Sequence, residues 1–354
     1  MISSGKVLKK YQVQPLKRLS QSFLRDDNIA RKIVLAADLQ KTDIVLEIGA
    51  GHGILTRYIA PEVRQVIAVD IDPAMIAILE KELGQGQETP QGQELDESVG
   101  NVDEEAILPE RDRGEQWQTQ TKGQAPEAVK SQAGNVRIVL ADILKMDIGE
   151  LSEKMDFARL CGELPEQDQK SQPHPQFKVV GNIPYAISTE ILFHLLAHRR
   201  MISKTVLMVQ REVADRLTGL PGTKAYGVPT VLLSMHARLV KLFDVSPQCF
   251  YPRPRVTSSV ISLTFRECPR VDLLDEVFFT RIVKAAFSSR RKTLWNNLRS
   301  ASWLNLEADK LKAVLASCGL DEKIRGESLS VESFGVLSNK LFIINPFFSM
   351  PNIP

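Results

Sequence analysis

The sequence predicts an α/β domain built on a Rossmann-like, mostly parallel sheet, followed by a smaller all-helical C-terminal domain. Short apolar runs typical of buried strands recur at residues 43–48, 65–69, 136–140 and 177–180, and each is followed by polar or glycine residues. Helical segments separate most of these runs, which is the alternation expected of a parallel sheet. From residue 271 onwards, apolar residues recur at helical spacing.

The composition is that of an ordinary globular protein. The chain has 354 residues, 43% hydrophobic and 25% charged, which is enough to bury the cores of two domains. No apolar run is long enough to cross a membrane, and the first residues lack the apolar stretch of a secretory signal. The cysteines form no CxxC pair, which favours a reduced, cytoplasmic setting without a metal site; they are Cys161, Cys249, Cys268 and Cys318.

Charge is distributed unevenly along the chain. The 45 Lys/Arg and 43 Asp/Glu give a net charge of +2, but four of those cations and eleven of those anions fall within residues 84–135. The rest therefore carries a net charge of +9, which suits a polyanionic partner and is also compatible with simple solubility. Residues 84–135 are rich in Gln, Glu, Gly and Pro, so we expect a disordered insertion. We place the first domain at residues 1–266, the helical domain at 267–342 and a tail at 343–354.

A glycine-rich turn follows the first buried strand. That strand, at residues 43–48, leads into GAGHG at residues 49–53 and then into a short helix. Gly49 and Gly51 permit a tight turn and close approach of a ligand to the backbone. The spacing differs from the GxGxxG fingerprint of dinucleotide-binding proteins, so an NAD-linked dehydrogenase is a distant alternative.

Carboxylates stand at the ends of the next two strands. Asp70 follows its strand directly and lies about 20 residues past the glycine turn, where a carboxylate can accept both ribose hydroxyls of a nucleoside-like cofactor. Asp72 is interpreted as a helix cap, because Pro73 suits the first helical position. Asp142 could accept the amino N–H of a cofactor adenine, or it could cap a helix.

The main chemical signal is the tetrapeptide Asn182-Ile183-Pro184-Tyr185, which follows a buried strand. An exocyclic base amine is a poor nucleophile because its lone pair is delocalised into the ring. The Asn182 amide oxygen and the Ile183 carbonyl can each accept one of its N–H groups and so favour a tetrahedral, nucleophilic nitrogen. Pro184 fixes the backbone and donates no competing N–H, and Tyr185 offers a flat face to an unstacked base. Alternatively, the four residues form an ordinary strand-to-helix turn.

The remaining strands are expected to close the sheet. After a helix capped by Ser188 or Thr189, a strand is predicted at residues 204–209. A loop at residues 222–229 then precedes a closing antiparallel pair at residues 231–245 and 259–265.

Two clusters of cations are candidates for binding RNA. The loop between the closing strands reads FYPRPRV and carries Arg253 and Arg255. In the helical part, Arg290, Arg291 and Lys292 are consecutive and stand near aromatic residues. Cations beside aromatic rings are typical of surfaces that contact nucleic acid. A proline-braced connector and a solvated helix turn are the corresponding structural alternatives.

Taken in order, these segments resemble those of the small-subunit ribosomal RNA adenine dimethyltransferases of the bacterial type. The similarity runs from about residue 16 to residue 341, outside two polar insertions. Each match is modest alone, but the ordered set is specific. The matching segments are residues 21–24 and 47–56, Asp70, Asp142, and residues 182–189, 210–217, 224–227, 252–259 and 286–298.

The resemblance implies a class I methyltransferase sheet, S-adenosylmethionine as methyl donor, and a monomer acting on 16S rRNA in an immature small subunit. The implied product is N6,N6-dimethyladenine at two adjacent adenines in a hairpin loop near the 3′ end of that RNA. Tyr185 and Phe287 would flank the target adenine, and the helical domain would help to hold the ribosomal particle. The expected cofactor residues, with Gly51 of the glycine turn, are Ser22, Leu24, Gly49, Gly51, Asp70, Asp142 and Asn182.

Several positions depart from the family pattern, although the Asn, Pro and Tyr of the tetrapeptide are kept. Ser20 stands where Gly is usual, Ser22 where Asn or His is usual, and Asp70 where Glu is usual. Ala186 replaces a common Asn, and Arg253 adds a cation to a run of prolines.

Two other functions remain open from the sequence. One is N6 methylation of an adenine in 23S rRNA, the type associated with macrolide resistance. The other is a non-catalytic checkpoint in ribosome assembly that binds immature subunits. The arginine-containing loop and the helical C-terminal part favour the small-subunit interpretation through the resemblance alone.

Overall fold

The computed structural model describes residues 10–11, 21–84, 128–130, 134–154 and 176–345. Ser20, most of the predicted insertion and the end of the tail lie outside these ranges. The strands are β1 (Phe23–Leu24), β2 (Ile44–Ile48), β3 (Gln65–Asp70), β4 (Ala128–Lys130), β5 (Val136–Leu140), β6 (Phe177–Asn182), β7 (Ile202–Gln210), β8 (Ala237–Val245), β9 (Phe250–Tyr251) and β10 (Ser258–Phe265). The helices are α1 (Asp27–Ala37), α2 (Thr56–Ile59), α3 (Pro73–Gly84), α4 (Ile148–Lys154), α5 (Ser188–Ala197), α6 (Arg211–Leu217), α7 (Val228–His236), α8 (Glu276–Ala286), α9 (Leu294–Arg299), α10 (Ala308–Ser317) and α11 (Val331–Ile343).

One mixed sheet of eight strands organises the first part of the chain, in the order β4-β5-β3-β2-β6-β7-β10-β8. The strands from β5 to β7 in this order are parallel, whereas β4, β10 and β8 pair antiparallel with their neighbours. Strands β3 and β5 lie on one side of β2 in the sheet. The chain then crosses over, and β6 and β7 lie on the other side of β2. The carboxyl ends of β2 and β6 are therefore a topological switch point, where open α/β sheets bind ligands. This arrangement confirms the predicted α/β class.

The central strand β2 is buried along its whole length. Ile44, Leu46 and Ile48 pack into the apolar cluster on one face of the sheet. Val45 packs into the cluster on the other face. A parallel strand covered on both faces needs apolar residues at successive positions rather than alternate ones. This requirement explains why the run was recognisable in the sequence as a buried strand.

The predicted closing strand at residues 231–245 was wrong in its first half. Residues Val228–His236 form α7, and the strand begins only at Ala237. The reason is that Val228, Val231, Leu232 and Met235 recur at helical spacing and pack into the core of the C-terminal helices. The predicted loop at residues 222–229 is correspondingly shorter.

The predicted insertion at residues 84–135 is not irregular throughout. Residues Ala128–Lys130 form β4, which pairs antiparallel with β5 at the edge of the sheet. Val129 lies opposite Ile138 in this pairing. A short strand is readily hidden within a polar stretch, because three residues are too few to show a period of two.

Helices α8 to α11 surround a third apolar cluster that includes Phe278, Ile282 and Phe334. The loop before α7 is joined to this cluster. The Tyr226 hydroxyl donates to the Leu329 carbonyl oxygen at 2.8 Å, and its ring is buried among the helices. Among the residues with described positions, no helix is both long and apolar enough to cross a membrane.

Candidate active site

A cleft opens at the switch point, along the carboxyl ends of β2, β3, β5 and β6, and encloses about 990 Å³ of space that is partly open to solvent. It brings together most of the residues that the sequence singled out. The predicted residues that line it are Ser22, Gly49, Gly51, Asp70, Asp142, Asn182, Ile183, Pro184 and Tyr185. Leu24 is fully buried and lines a smaller chamber next to the cleft.

The glycine turn forms one wall of the cleft because its backbone follows a path that favours glycine. Gly49 and Gly51 have φ angles of +73° and +55°. A Cβ atom added at Gly49 would stand 3.1 Å from the Asn182 carbonyl oxygen, and one at Gly51 would stand 3.2 Å from the Phe23 ring. Gly49 therefore lets the turn lie against the strand end that carries Asn182, and Gly51 lets it lie against Phe23 of β1.

Asp70 joins this turn to β3. Its Oδ2 accepts the Gly51 N–H at 2.8 Å, and its Oδ1 accepts the Asp72 N–H at 2.9 Å. Burial raises the pKa of the carboxyl group, although these backbone donors favour the ionised form. A carboxylate has about four acceptor positions, so acceptor capacity remains for the hydroxyls of a ligand. Asp72 accepts the Ala74 N–H at 3.0 Å and precedes α3, which confirms its prediction as a helix cap.

Asp142, after β5, also lines the cleft, and it caps a turn. Its Oδ1 accepts the Leu144 N–H at 3.1 Å at the start of the 3₁₀ turn Ile143–Lys145. The capping role is therefore present. The same residue lines the cleft, so both alternatives raised by the sequence agree with its position.

Asn182 is held in one orientation by the N-terminal segment. Its Nδ2 donates to the Ser22 carbonyl oxygen at 3.0 Å. The amide oxygen therefore stays available to accept a hydrogen from a ligand. Because the partner is the main chain of Ser22, this contact does not depend on the Ser side chain that departs from the family pattern.

The two residues after Asn182 add a second acceptor. Ile183 is buried, and its carbonyl accepts no backbone hydrogen bond among the described residues. Pro184 has φ −59° and ψ 130°, an extended conformation that the ring imposes on φ. The Pro184 carbonyl, by contrast, accepts the Ile187 N–H at 3.3 Å.

The Tyr185 ring is anchored through its hydroxyl. The hydroxyl forms a hydrogen bond with the Oγ of Ser258, which is fully buried at the start of β10. Burial raises the pKa of the phenol, so it stays protonated at neutral pH. The predicted Ser188 or Thr189 cap of α5 was wrong, since no side chain caps this helix. The Ser188 hydroxyl instead donates to the Tyr185 carbonyl oxygen at 3.1 Å.

A carboxyl group lies beneath the glycine turn. Glu47 is 1% exposed, its Oε2 accepts the Thr56 hydroxyl at 2.7 Å, and its Oε1 has no partner among the residues with described positions. Burial raises its pKa to about 8. In the same chamber, burial lowers the pKa of His52 to about 4. No local sequence pattern indicates this site, because the burial of Glu47 follows from helices packed on both faces of β2.

Phe287 does not lie in the cleft. It follows α8, and its ring contacts Tyr226 and Phe334 at centroid distances of 6.0 and 5.8 Å. The interpretation that it flanks the target adenine is therefore not supported by its position. Phe287 lies there because it continues the apolar face of α8, and this face packs against the apolar cluster of the C-terminal helices. The aromatic ring that does line the cleft from the N-terminal segment is that of Phe23.

The cations of the two predicted RNA-binding clusters differ in whether they already bind groups of the protein itself. Arg253 and Arg255 are exposed and follow β9, which pairs with the cleft-lining β1 segment. Arg291 and Lys292 are also exposed and form no ion pair within the described part of the chain. Arg290, in contrast, is bound within the protein. Its Nε lies 2.6 Å from Glu327 Oε2, and its Nη2 donates to the Thr223 carbonyl oxygen.

The sheet order and a cleft at its switch point define a class I methyltransferase fold. A family model described as ribosomal RNA adenine dimethylase matches residues 14–94 and 124–341. The chain belongs to this family, and its methyl donor is S-adenosylmethionine. The residues present fit that cofactor, because the positive φ angles of Gly49 and Gly51 favour glycine and so keep the turn free of side chains, and carboxylates stand at two strand ends.

Named relatives agree with the family assignment. The chain is 36% identical over 335 residues to "Ribosomal RNA small subunit methyltransferase A" of Syntrophus aciditrophicus, covering 95% of this chain and 97% of the relative. It is 37% identical over 330 residues to the protein of the same name from Natranaerobius thermophilus, covering 93% and 92%.

Solved structures support the fold. A dimethyladenosine transferase from Plasmodium falciparum has a TM-score of 0.60 at 22% identity and covers 89% of this chain and 95% of its own. The 23S rRNA methyltransferase ErmE has a TM-score of 0.57 at 21% identity and covers 90% and 99%. Because these two differently named enzymes share the fold, the fold alone does not identify the substrate.

Proposed function

We propose that this protein transfers methyl groups from S-adenosylmethionine to N6 of two adjacent adenines in the 3′-terminal hairpin loop of 16S rRNA. The product is dimethyladenosine at both positions. The observation that carries the proposal is the fixed Asn182 amide, whose nitrogen is bound to Ser22 while its oxygen remains an acceptor in the cleft.

The residues of the cleft divide into a cofactor wall and a base wall. When bound, S-adenosylmethionine supplies an electrophilic methyl group on its sulfonium. Asp70 would accept the ribose hydroxyls, Asp142 the adenine amino group, and the Gly49-Gly51 turn would hold the amino-acid end. The base wall is the Asn182-Tyr185 turn at the end of β6.

Two fixed acceptors prepare the adenine amine for attack. In the first transfer, the Asn182 amide oxygen and the Ile183 carbonyl oxygen each accept one N–H of the N6 amine. In the second transfer, the monomethylated amine has one N–H left, which one of these two oxygens accepts. These hydrogen bonds draw the nitrogen out of conjugation with the ring and strengthen as it gains positive charge. Their preorganised positions avoid the entropy cost of assembling the acceptors around the base.

No side chain is needed as a general base. The nitrogen is acidic once it has received the methyl group, so its proton can leave to water. Tyr185 does not remove it, because burial raises the pKa of the phenol. The Tyr185 ring, held by Ser258, supplies a flat surface for the unstacked base.

The setting follows from the substrate. We infer that the protein acts in the cytoplasm as a monomer on an immature small subunit, where the adenines are still unmethylated. Arg253 and Arg255 contact RNA phosphates beside the cleft, and Arg291 and Lys292 contact them from the helical part. Exposed cations are suited to binding RNA phosphates, since they can form these ion pairs without breaking ion pairs within the protein.

The direct experiment is mass spectrometry of nucleosides from under-methylated ribosomal subunits incubated with the protein and labelled donor. We expect dimethyladenosine from small subunits, mapped by primer extension to two adjacent adenines near the 3′ end. Label in 23S rRNA instead would support the macrolide-resistance type of activity. Binding to small subunits without label would support a non-catalytic checkpoint.

A further inference from the structure

His194 on α5, and His198 directly after this helix, contact the segment that follows Asp142. The Nε2 of His194 lies 3.0 Å from the Met146 carbonyl oxygen. Because a carbonyl only accepts, this nitrogen must carry the proton. One turn later, the His198 Nδ1 donates to the His194 carbonyl oxygen at 3.0 Å. The His198 Nε2 lies 3.6 Å from Asp147 Oδ1, and this pair is attractive when the imidazole carries a proton on both nitrogens.

The contacted segment is fixed by local hydrogen bonds and is buried at Met146 and Ile148. Asp147 Oδ1 accepts the N–H groups of Gly149 and Glu150 at 2.8 and 3.2 Å, which fixes the start of α4. Met146 is 6% exposed and packs in the same apolar cluster as the α5 residue Leu195. The histidines therefore join two elements that already share a core.

One 3₁₀ turn separates this contact from the cofactor wall. The Lys145 N–H donates to the Asp142 carbonyl oxygen at 3.0 Å, and the Met146 N–H donates to the Ile143 carbonyl oxygen at 3.3 Å. A displacement of Met146 would therefore be transmitted to Asp142 over a single hydrogen-bonded turn.

The other end of α5 is attached to the base wall. Ser188 begins the helix and donates to the Tyr185 carbonyl oxygen. Helix α5 thus contacts the base wall at its first turn and the segment behind the cofactor wall at its last turn. A helix is stiff over ten residues, so it can act as a spacer between the two walls.

We propose that His194 and His198 are positioning residues for the cofactor, because they hold Met146 and Asp147 against α5 and so fix Asp142 relative to the Asn182-Tyr185 turn. The proposal rests on the assignment of Asp142 to the cofactor made above. A metal site is a poorer explanation of the histidine pair, since no group of three metal-ligating side chains occurs in the described ranges.

The test compares a donor-keeping and a donor-lacking substitution in the full-length protein. His194→Gln retains an N–H that can reach the Met146 carbonyl, whereas His194→Leu has a similar bulk without a donor. Loss of one hydrogen bond corresponds to a roughly 2- to 13-fold change in an equilibrium constant. We expect the Kd for S-adenosylmethionine, measured by calorimetry without RNA, to rise about 5-fold in His194→Leu. In His194→Gln we expect it to stay within about 2-fold of wild type, and kcat at saturating donor to be little changed in both.

A double-mutant cycle shows whether His194 acts through Asp142. Asp142→Asn keeps an oxygen to cap the turn at Leu144 but places an amide N–H where the second carboxylate oxygen stood. If the proposal is right, His194→Leu weakens binding by less than about 2-fold in the Asp142→Asn background. An equal loss in both backgrounds would overturn it, and so would an unchanged Kd in His194→Leu or in Asp142→Asn.

His198 provides a second pair of variants if His194→Leu does not fold. His198 is 21% exposed, so His198→Gln and His198→Leu are tolerated more readily. We expect the Kd for S-adenosylmethionine to be near the wild-type value in His198→Gln and higher in His198→Leu. Equal affinity in both would contradict the proposal. Dimethyladenosine formation by the wild-type protein is a separate measurement, so failure of the proposed function would be recognised independently.

Discussion

The side-chain amide of Asn182 is bound to the main-chain carbonyl of Ser22 at a distance of 3.0 Å, across 160 residues of sequence. This bond uses the amide as a donor and leaves its oxygen as an acceptor. The N-terminal segment lines the cofactor cleft and also binds Asn182. It sets the orientation of the group that we expect to contact the adenine amine.

Replacement of Ser22 by Ala should have little effect. The bond to Asn182 uses the Ser22 carbonyl, which Ala retains, so the KM for S-adenosylmethionine and kcat should stay within about 2-fold of wild type. Steady-state kinetics on under-methylated small subunits would measure both. Asn182→Asp is the matched variant, because it replaces the donor by a carboxylate oxygen and should weaken activity strongly. A tenfold loss in Ser22→Ala would show that the serine side chain has a role of its own.

The Tyr185–Ser258 pair should be coupled in stability. Tyr185→Phe leaves the buried Ser258 hydroxyl without its partner, which should lower the free energy of unfolding by about 1–3 kcal/mol. Adding Ser258→Ala removes the unpaired hydroxyl and should recover a large part of the loss. Urea denaturation of the two single variants and the double variant would give the coupling. If the losses in free energy of unfolding of the two single variants simply added up in the double variant, the hydrogen bond between Tyr185 and Ser258 would be contradicted.

Catalysis should depend on the Tyr185 ring more than on its hydroxyl. Tyr185→Phe keeps the flat face for the base and should retain most of its turnover, whereas Tyr185→Ala should not. Equal turnover by these two variants would exclude the ring as a surface for the base.

Much of the fold was predictable from the sequence. The buried strands were recognisable because a sheet covered on both faces needs uninterrupted apolar runs, and the polar residues after each run marked its carboxyl end. Helix α7 was missed because a short apolar run suits a strand or a helix equally. Only its packing against the C-terminal helices decides between them.

The candidate site was predictable in its residues but not in its contacts. Asn182, Asp70 and the glycine turn were found through the strands that they follow. The partners of Asn182 and Tyr185 are 160 and 73 residues away in the chain, so no local pattern indicates them. Phe287 was misplaced because an aromatic residue on an amphipathic helix has the same local sequence whether it faces a ligand or the core.

Glu47 should make stability depend on pH. Its pKa is about 8 in the folded protein and ordinarily about 4.5, so between these values the folded state retains a proton that the unfolded state loses. Stability from this group is therefore present at low pH and is lost as the pH rises towards 8. The lowered pKa of His52 has the opposite effect, since its contribution to stability increases as the pH rises. That contribution no longer changes above about pH 6.5, the ordinary pKa of a histidine.

Between about pH 6.5 and 8, the part of the slope that Glu47→Gln removes belongs to Glu47, since Asp70, whose pKa is also raised, is the same in both proteins. The free energy of unfolding should fall there by up to about 1.4 kcal/mol per pH unit because of this carboxyl group. Glu47→Gln cannot ionise and should flatten the profile, as measured by urea denaturation at successive pH values. A slope that is unchanged in Glu47→Gln would show that Glu47 is ionised in the native state.

Arg290 and its neighbours should separate into structural and RNA-binding residues. Arg290→Ala removes the bonds to Glu327 and Thr223 and should lower the melting temperature. Arg291→Ala and Lys292→Ala should leave the melting temperature nearly unchanged. Each should instead weaken binding to small subunits and reduce the slope of log K against log salt by about one. The reverse pattern would assign the RNA contact to Arg290.

Asn182 provides the most direct test of the central claim, that a fixed amide oxygen prepares the adenine amine for methylation. The measurement is mass spectrometry of nucleosides from under-methylated small subunits treated with wild type or Asn182→Ala at saturating donor, with donor binding measured in parallel. We predict dimethyladenosine from the wild type, and a rate at least about 100-fold lower from a variant that still binds S-adenosylmethionine. Dimethyladenosine formed by Asn182→Ala at the wild-type rate would contradict the mechanism.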